Sequence, residues 1–287
     1  MKIHQSATYA LRLLTACALV GALTSCSLAT LAYNNAPSLI GFALSDYVEL
    51  NEQQEVVVKA RLTQLIAWHR KSELPQLLRL LNEARDRAGT QPSLGEMRDF
   101  YARSQARFDR SVEQVLPDMA ELLRQLAPSQ IARLEEKLAK DNRKVVEEAA
   151  KPLTSRQAKR MERVRERFED WFGPLSAGQS AYLQSHIADM GPLDEMRLAD
   201  RKDWQREFID AIKLKPDTAQ LLAELRILIL TPEKRRDPVY EAELTRRHEE
   251  MMSITTWMLA GATPAQRANV RKKISGYAED VTRLLRA

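Results

Sequence analysis

Apolar residues recur three and four positions apart along most of this chain, the spacing that gives an α-helix one buried face. The C-terminal stretch shows it most clearly, with Val270, Ile274, Tyr277, Val281 and Leu284 in register. Two runs have strand-like composition, Val56-Val57-Val58 and Ile227-Leu228-Ile229-Leu230, and both sit inside segments with helical period. The breakers between periodic segments predict helices over about 52–71, 74–88, 94–126, 128–149, 155–172, 177–189, 193–213, 217–230, 238–260 and 264–285. A short apolar helix over 38–47 precedes them, and Pro117 predicts an interruption or kink in the longest one. Short connections imply antiparallel neighbours. The expected fold is all-α, an elongated antiparallel bundle of roughly nine to eleven helices without β-sheet.

One phrase recurs where helices begin. It reads Leu50-Asn51-Glu52-Gln53-Gln54, Leu126-Ala127-Pro128-Ser129-Gln130, Leu153-Thr154-Ser155-Arg156-Gln157 and Leu175-Ser176-Ala177-Gly178-Gln179, with Ala262-Thr263-Pro264-Ala265-Gln266 close to it. A small polar residue followed three positions later by Gln is a capping box. The cap side chain accepts from the third helical amide, and the Gln reaches back to the cap's own N–H. Thr154, Ser176 and Thr263 are the expected caps of the last three copies, and Ala127 lacks a capping side chain in the second. Leu50 pairs with Leu126, and Leu175 with Ala262, at comparable separations, which hints at duplication. The intervening residues do not align, so repeated use of a good helix start is the simpler account.

The N-terminus changes the picture. Lys2 and Arg12 precede an almost wholly apolar run from Leu13 to Leu23, short of a bilayer span but the length of an export signal's core. It ends in Leu23-Thr24-Ser25-Cys26, which resembles the lipobox of bacterial lipoproteins. That resemblance implies cleavage between Ser25 and Cys26, a thioether to diacylglycerol on Cys26, and three acyl chains. An ordinary cleaved signal with a chance cysteine and an uncleaved anchor are the alternatives. Ser27 stands where Asp would resemble an inner-membrane retention signal, so the resemblance implies the outer membrane, facing the periplasm. The expected organisation is a signal peptide over 1–25, a lipidated N-terminus and short tether over 26–37, and a helical periplasmic body over 38–287. Loss of 1–25 removes Lys2, Arg12 and no acid, taking the net charge from +5 to about +3, too balanced to suggest a nucleic-acid partner. Cys17 would leave with the signal, so no disulfide is possible in the remainder.

Little in the sequence suggests chemistry. His69, His186 and His248 are too far apart for a metal motif, and no Gly-rich phosphate loop or GxSxG elbow occurs. No enzyme activity, cofactor or metal is expected. Ser72-Glu73 ahead of Pro75 reads as a helix N-terminus rather than a sugar-cleaving acid. Trp68, three residues after Leu65, should face the core, with His69 and Arg70 turned outward as a possible binding surface. Trp171, within Phe168-Trp171-Phe172, has the same two readings. In the basic run Arg156 to Arg167, intervening Glu162 and Glu166 predict a salt-bridged solvated face.

The recurring phrase resembles the LTxxQ motif of small periplasmic stress proteins of the Spy and CpxP kind, matched fully by Leu153-Thr154-Ser155-Arg156-Gln157. That resemblance implies ATP-independent binding of unfolded envelope proteins. The layout of lipobox, Tyr33-Asn34-Asn35-Ala36-Pro37 and Trp68-His69-Arg70-Lys71-Ser72-Glu73-Leu74-Pro75 is similar to an uncharacterised family of proteobacterial lipoproteins. Together these readings imply a membrane contact through lipid on Cys26 and an envelope protein as partner. Lipopolysaccharide or peptidoglycan is the alternative ligand.

Overall fold

The computed structural model describes residues 26–286, so the expected signal peptide, with Leu23, Thr24 and Ser25, lies outside the described residues. Among the described residues there are twelve α-helices, one 3₁₀ turn and no strand. In chain order the helices are α1 (Cys26–Asn34), α2 (Ala36–Ser45), α3 (Glu52–Ser72), α4 (Leu74–Arg87), α5 (Leu94–Arg124) and α6 (Pro128–Ala149). They continue with α7 (Leu153–Phe172), α8 (Ala177–Asp189), α9 (Asp194–Lys213), α10 (Thr218–Leu230), α11 (Pro238–Ala260) and α12 (Pro264–Arg286). The all-α expectation holds. The expected tether over 26–37 is a correction: it is helical almost throughout, and Tyr33 and Ala36 are buried.

Local chemistry accounts for most helix starts. Asn51 with Gln54, Ser176 with Gln179, and Thr263 with Gln266 each form both bonds of a capping box. Asp217 with Gln220 and Ser93 with Glu96 do the same. The Asp217 box follows Pro216, so a search for an apolar residue before the cap passes over it. Ala127 cannot cap, yet Gln130 Oε1 still accepts its N–H at 2.9 Å. The expectation at Thr154 is corrected: α7 starts at Leu153, with Pro152 at the cap position and no side-chain cap bond. Pro152 has ψ near 135°, so the extended residue is the proline itself and Thr154 already lies inside the helix, exposed. Helix α5 runs through Pro117, where an interior proline costs about 3 kcal/mol in isolation. Burial of Val112, Leu116 and Ala120 around it offsets that cost.

The chain forms two compact units, each assembled from three separate stretches. Of the described residues, unit one takes those up to Glu73, then Phe108–Glu148 and Asp194–Asp237. Its larger core joins Leu116, Ala120 and Leu123 of α5 to Ile131 of α6, Ile212 of α9, and Leu221 and Leu225 of α10. Trp204 stacks on Phe208 at 5.0 Å and donates from Nε1 to the Leu228 carbonyl at 2.9 Å. A smaller core in the same unit joins Ala36 and Ile40 to Val58, Leu62 and Leu65 of α3. Arg201, almost wholly buried, donates from Nε to Asn142 Oδ1, and Asn142 donates to Gln205 Oε1 at 2.6 Å. Unit two takes Leu74–Arg107, Ala149–Leu193 and the chain from Pro238 onward. Phe168 and Phe172 of α7, Leu183 and Ile187 of α8, Ile254 and Met258 of α11, and Val270 and Ile274 of α12 fill its core. Each fully buried side chain of this size contributes roughly 1.5–3 kcal/mol.

Candidate functional site

Helix α1 opens at Cys26, and seven residues later the chain is pinned to α3. The Tyr33 hydroxyl lies 2.9 Å from His69 Nδ1 and 3.4 Å from the Ile66 carbonyl. Burial pushes the His69 pKa below its ordinary value, which favours the neutral ring that can accept from a phenol. Arg70 Nη2 donates to Asn34 Oδ1 at 2.6 Å, and its guanidinium sits 5.6 Å from the Tyr33 ring centre. Trp68 packs against the α2–α3 core, as its spacing from Leu65 predicts. The outward binding surface expected of His69 and Arg70 is therefore corrected: both are engaged by the chain's own segment Tyr33–Asn34. Residues 33–36 and 66–70, distant in sequence, meet here. Glu73, expected in a helix N-terminus, is the buried residue between α3 and α4 and pairs with Arg110 Nε at 2.9 Å.

The helix-start glutamines have a second use that their spacing alone does not reveal. In unit one, Gln54 Nε2 donates to Gln130 Oε1 at 3.3 Å, and Gln130 Nε2 returns the bond to Gln54 Oε1 at 2.7 Å. In unit two, Gln179 and Gln266 exchange the same pair of bonds at 3.1 and 2.9 Å. The remaining amide hydrogens are used alike. Gln130 donates to the carbonyl of Glu49, two residues before the partner's cap, and Gln266 donates to Pro174, at the equivalent position. All four side chains are buried. Each glutamine thus closes its own helix start with Oε1 and ties it to a second helix start with Nε2. The two tied pairs are those singled out by sequence separation. Gln157, in the fullest match to the pentapeptide, belongs to neither pair.

Trp171 is half-buried between α7 and α12, 5.9 Å from the Tyr277 ring and 5.5 Å from Lys273 Nζ, which also pairs with Asp170. Half of the basic run of α7 is committed: Arg156 donates to the Lys151 carbonyl, Arg160 to the Gly191 and Ile187 carbonyls, and Arg165 pairs with Glu162 and Glu169. One group escapes sequence reasoning altogether. Trp257 stacks on Tyr182 at 3.8 Å and 8°, Tyr182 lies 4.1 Å from His186, and His186 Nδ1 meets Glu250 Oε1 at 2.5 Å. Burial, with a smaller contribution from the Glu250 charge, raises the Tyr182 pKa. The partners come from α8 and α11, so no local pattern announces them.

Among the described residues no group of three or more His, Cys, Asp or Glu is placed to hold a metal ion. No described helix is long and apolar enough to cross a membrane. An open depression of about 410 Å³ in unit one is lined by Pro117, Asp118, Glu121, Arg124, Gln125 and Thr218. Of these, Asp118 and Glu121 face Arg61, and Arg124 is bonded to Thr218.

No curated protein and no solved structure matches the chain. A family model matches residues 46–241, more than half of the 287, from just after α2 into the start of α11. The match includes the Gln54–Gln130 pair and the segment that receives Tyr33. The chain belongs to DUF6279, a family of unknown function.

Proposed function

We propose that this protein is a lipid-anchored component of the bacterial cell envelope that works by binding rather than catalysis, as a helical scaffold or adaptor for envelope proteins. The lipid sits on Cys26, and the body faces the periplasm from the outer membrane. One observation carries the reading: the segment that follows Cys26 is folded onto α3 through Tyr33, Asn34 and Ala36 instead of trailing as a loose tether. A body joined to its anchor in this way is held at a fixed distance from the bilayer, which a scaffold needs and a diffusing enzyme does not. A chaperone-like variant of the reading draws nothing from Gln54, Gln130, Gln179 and Gln266, because they are buried in pairs. Its support would have to come from the surface.

The alternative, a binder of peptidoglycan or lipopolysaccharide, is favoured by the Trp257–Tyr182–His186–Glu250 ladder. A part-exposed stack of rings beside a carboxylate suits the face and hydroxyls of a sugar. Crosslinking in cells followed by identification of the captured species separates the two. Protein partners recovered reproducibly support the scaffold. Retention on purified sacculi that Trp257→Ala abolishes supports the alternative and refutes the scaffold if no protein is captured. The anchor is tested separately: Cys26→Ser should abolish acyl labelling and leave an uncleaved precursor.

A further inference from the structure

Helices α1 and α2 follow one another through Asn35, whose φ −99° and ψ 9° depart only modestly from helical values, and together they form a slightly bent rod. Asn35 N–H donates to the Leu31 carbonyl and Leu39 N–H to the Asn35 carbonyl, both at 3.0 Å, so the hydrogen-bond ladder continues across the joint. At about 100° per residue, Tyr33, Ala36 and Ile40 fall on one side, and Leu31, Leu39 and Phe42 fall within about 80° of one another on the other. The first set is buried against α3; the second is 59%, 54% and 79% exposed. From Cys26 to Ser45 there is no Asp, Glu, Lys, Arg or His, whereas 29% charged residues overall would place about six in a stretch of that length. A face meeting water has no need to exclude charge at its exposed positions. A face lying in a bilayer does, since a charge in hydrocarbon is strongly disfavoured.

We propose that this outer face, Leu31, Leu39 and Phe42, lies in the lipid interface and is a second, protein-borne membrane contact beside the anchor. The proposal rests on the reading of Cys26 as the lipid-bearing residue, because Cys26 opens the same rod and places it at the bilayer. The rod then lies along the surface with Phe42 inserted, and α3, bound to its other side, is presented to the periplasm. The residues of the rod supply no cation, so attraction to anionic headgroups is not what this face contributes. This separates the contact from basic amphipathic helices, whose binding follows anionic lipid and salt.

The test uses the chain from residue 26 onward, which carries the twelve described helices, with Cys26→Ser so that no lipid is attached. Flotation with vesicles of phosphatidylcholine alone, and of phosphatidylethanolamine with phosphatidylglycerol, should recover the protein equally from both, with little effect of salt. Leu39→Glu with Phe42→Glu should lower the partition coefficient at least about tenfold while leaving the helical circular dichroism and thermal midpoint unchanged. Leu214→Glu, at an exposed apolar site on α9's C-terminal side, should change nothing. Equal partitioning of the Leu39/Phe42 variant and its parent overturns the proposal, as does binding that requires phosphatidylglycerol. Recovery of self-associated protein without vesicles also overturns it, assigning the face to a second copy. Absence of acyl label on the unaltered chain in cells, with partitioning of the Cys26→Ser protein intact, refutes the anchor and leaves the face standing, so the two failures are distinguishable.

Discussion

Replacing Gln130 with alanine measures what the glutamine pairs are worth. Gln130 makes four hydrogen bonds: Oε1 accepts from Ala127 N–H at 2.9 Å and from Gln54 Nε2 at 3.3 Å, while Nε2 donates to Gln54 Oε1 at 2.7 Å and to the Glu49 carbonyl at 2.5 Å. A net intramolecular bond contributes about 1 kcal/mol, and a buried group left unsatisfied costs about 1–3 kcal/mol. Alanine strands the Ala127 amide and the Glu49 carbonyl, and Gln54 keeps its own cap bond and the Gln125 carbonyl. The expected loss is about 3–4 kcal/mol. Gln220→Ala is the control, because it removes only the back bond from Asp217 N–H in an exposed capping box, with Asp217's own cap bond kept and no second glutamine attached. Its expected cost is that of one exposed hydrogen bond, about 0.5–1 kcal/mol. Urea denaturation followed by circular dichroism reads both, and in heating scans the Gln130 variant should lose roughly 10 °C in the transition of unit one. In a cycle with Gln54→Ala the double variant should be less destabilised than the sum, because the shared bonds are lost once. Equal costs for Gln130→Ala and Gln220→Ala would refute the reasoning and reduce the buried pair to an ordinary cap.

Three further outcomes are expected. Gly173 caps α7 with φ +80° and ψ −163°, a region essentially reserved for glycine, and a Cβ there would stand 2.6 Å from Asn269 Nδ2, which donates to the Phe172 carbonyl. Gly173→Ala should therefore destabilise unit two by about 2–3 kcal/mol, and Gly191→Ala, at φ +50° with open space around it, by about 1–2 kcal/mol; chemical denaturation compares them. Burial lowers the His69 pKa from 6.5, so the unfolded chain takes up this proton first, and the stability the neutral ring supplies, complete above pH 6.5, declines as pH falls toward the folded value. His69→Gln should flatten that part of the stability–pH curve, and an unchanged slope would count against it. Trp204→Phe keeps the ring beside Phe208 but leaves the Leu228 carbonyl without its donor, and should cost about 1–3 kcal/mol in the unfolding free energy of unit one.

The sequence by itself determined the helices and most of their ends. Helical period and capping boxes act within one or two turns, so Asn51, Ser176 and Thr263 can be read as caps before any packing is known. It failed locally where another constraint intervened: at Thr154, where Pro152 takes the extended position, and over 26–37, where the stretch between the expected lipid site and Pro37 reads as a tether until Tyr33 and Ala36 are seen buried. Only the tertiary structure decided what the helix starts and the Trp68–Arg70 cluster are for. A capping glutamine uses its oxygen on its own helix, and that local signature is the same whether its nitrogen meets water or another glutamine 76 or 87 residues away. His69 and Arg70 likewise carry no mark of Tyr33 and Asn34 in their own neighbourhood. Burial and pairing are decided by which distant surfaces exclude water together, and the spacing of residues along the chain does not encode that.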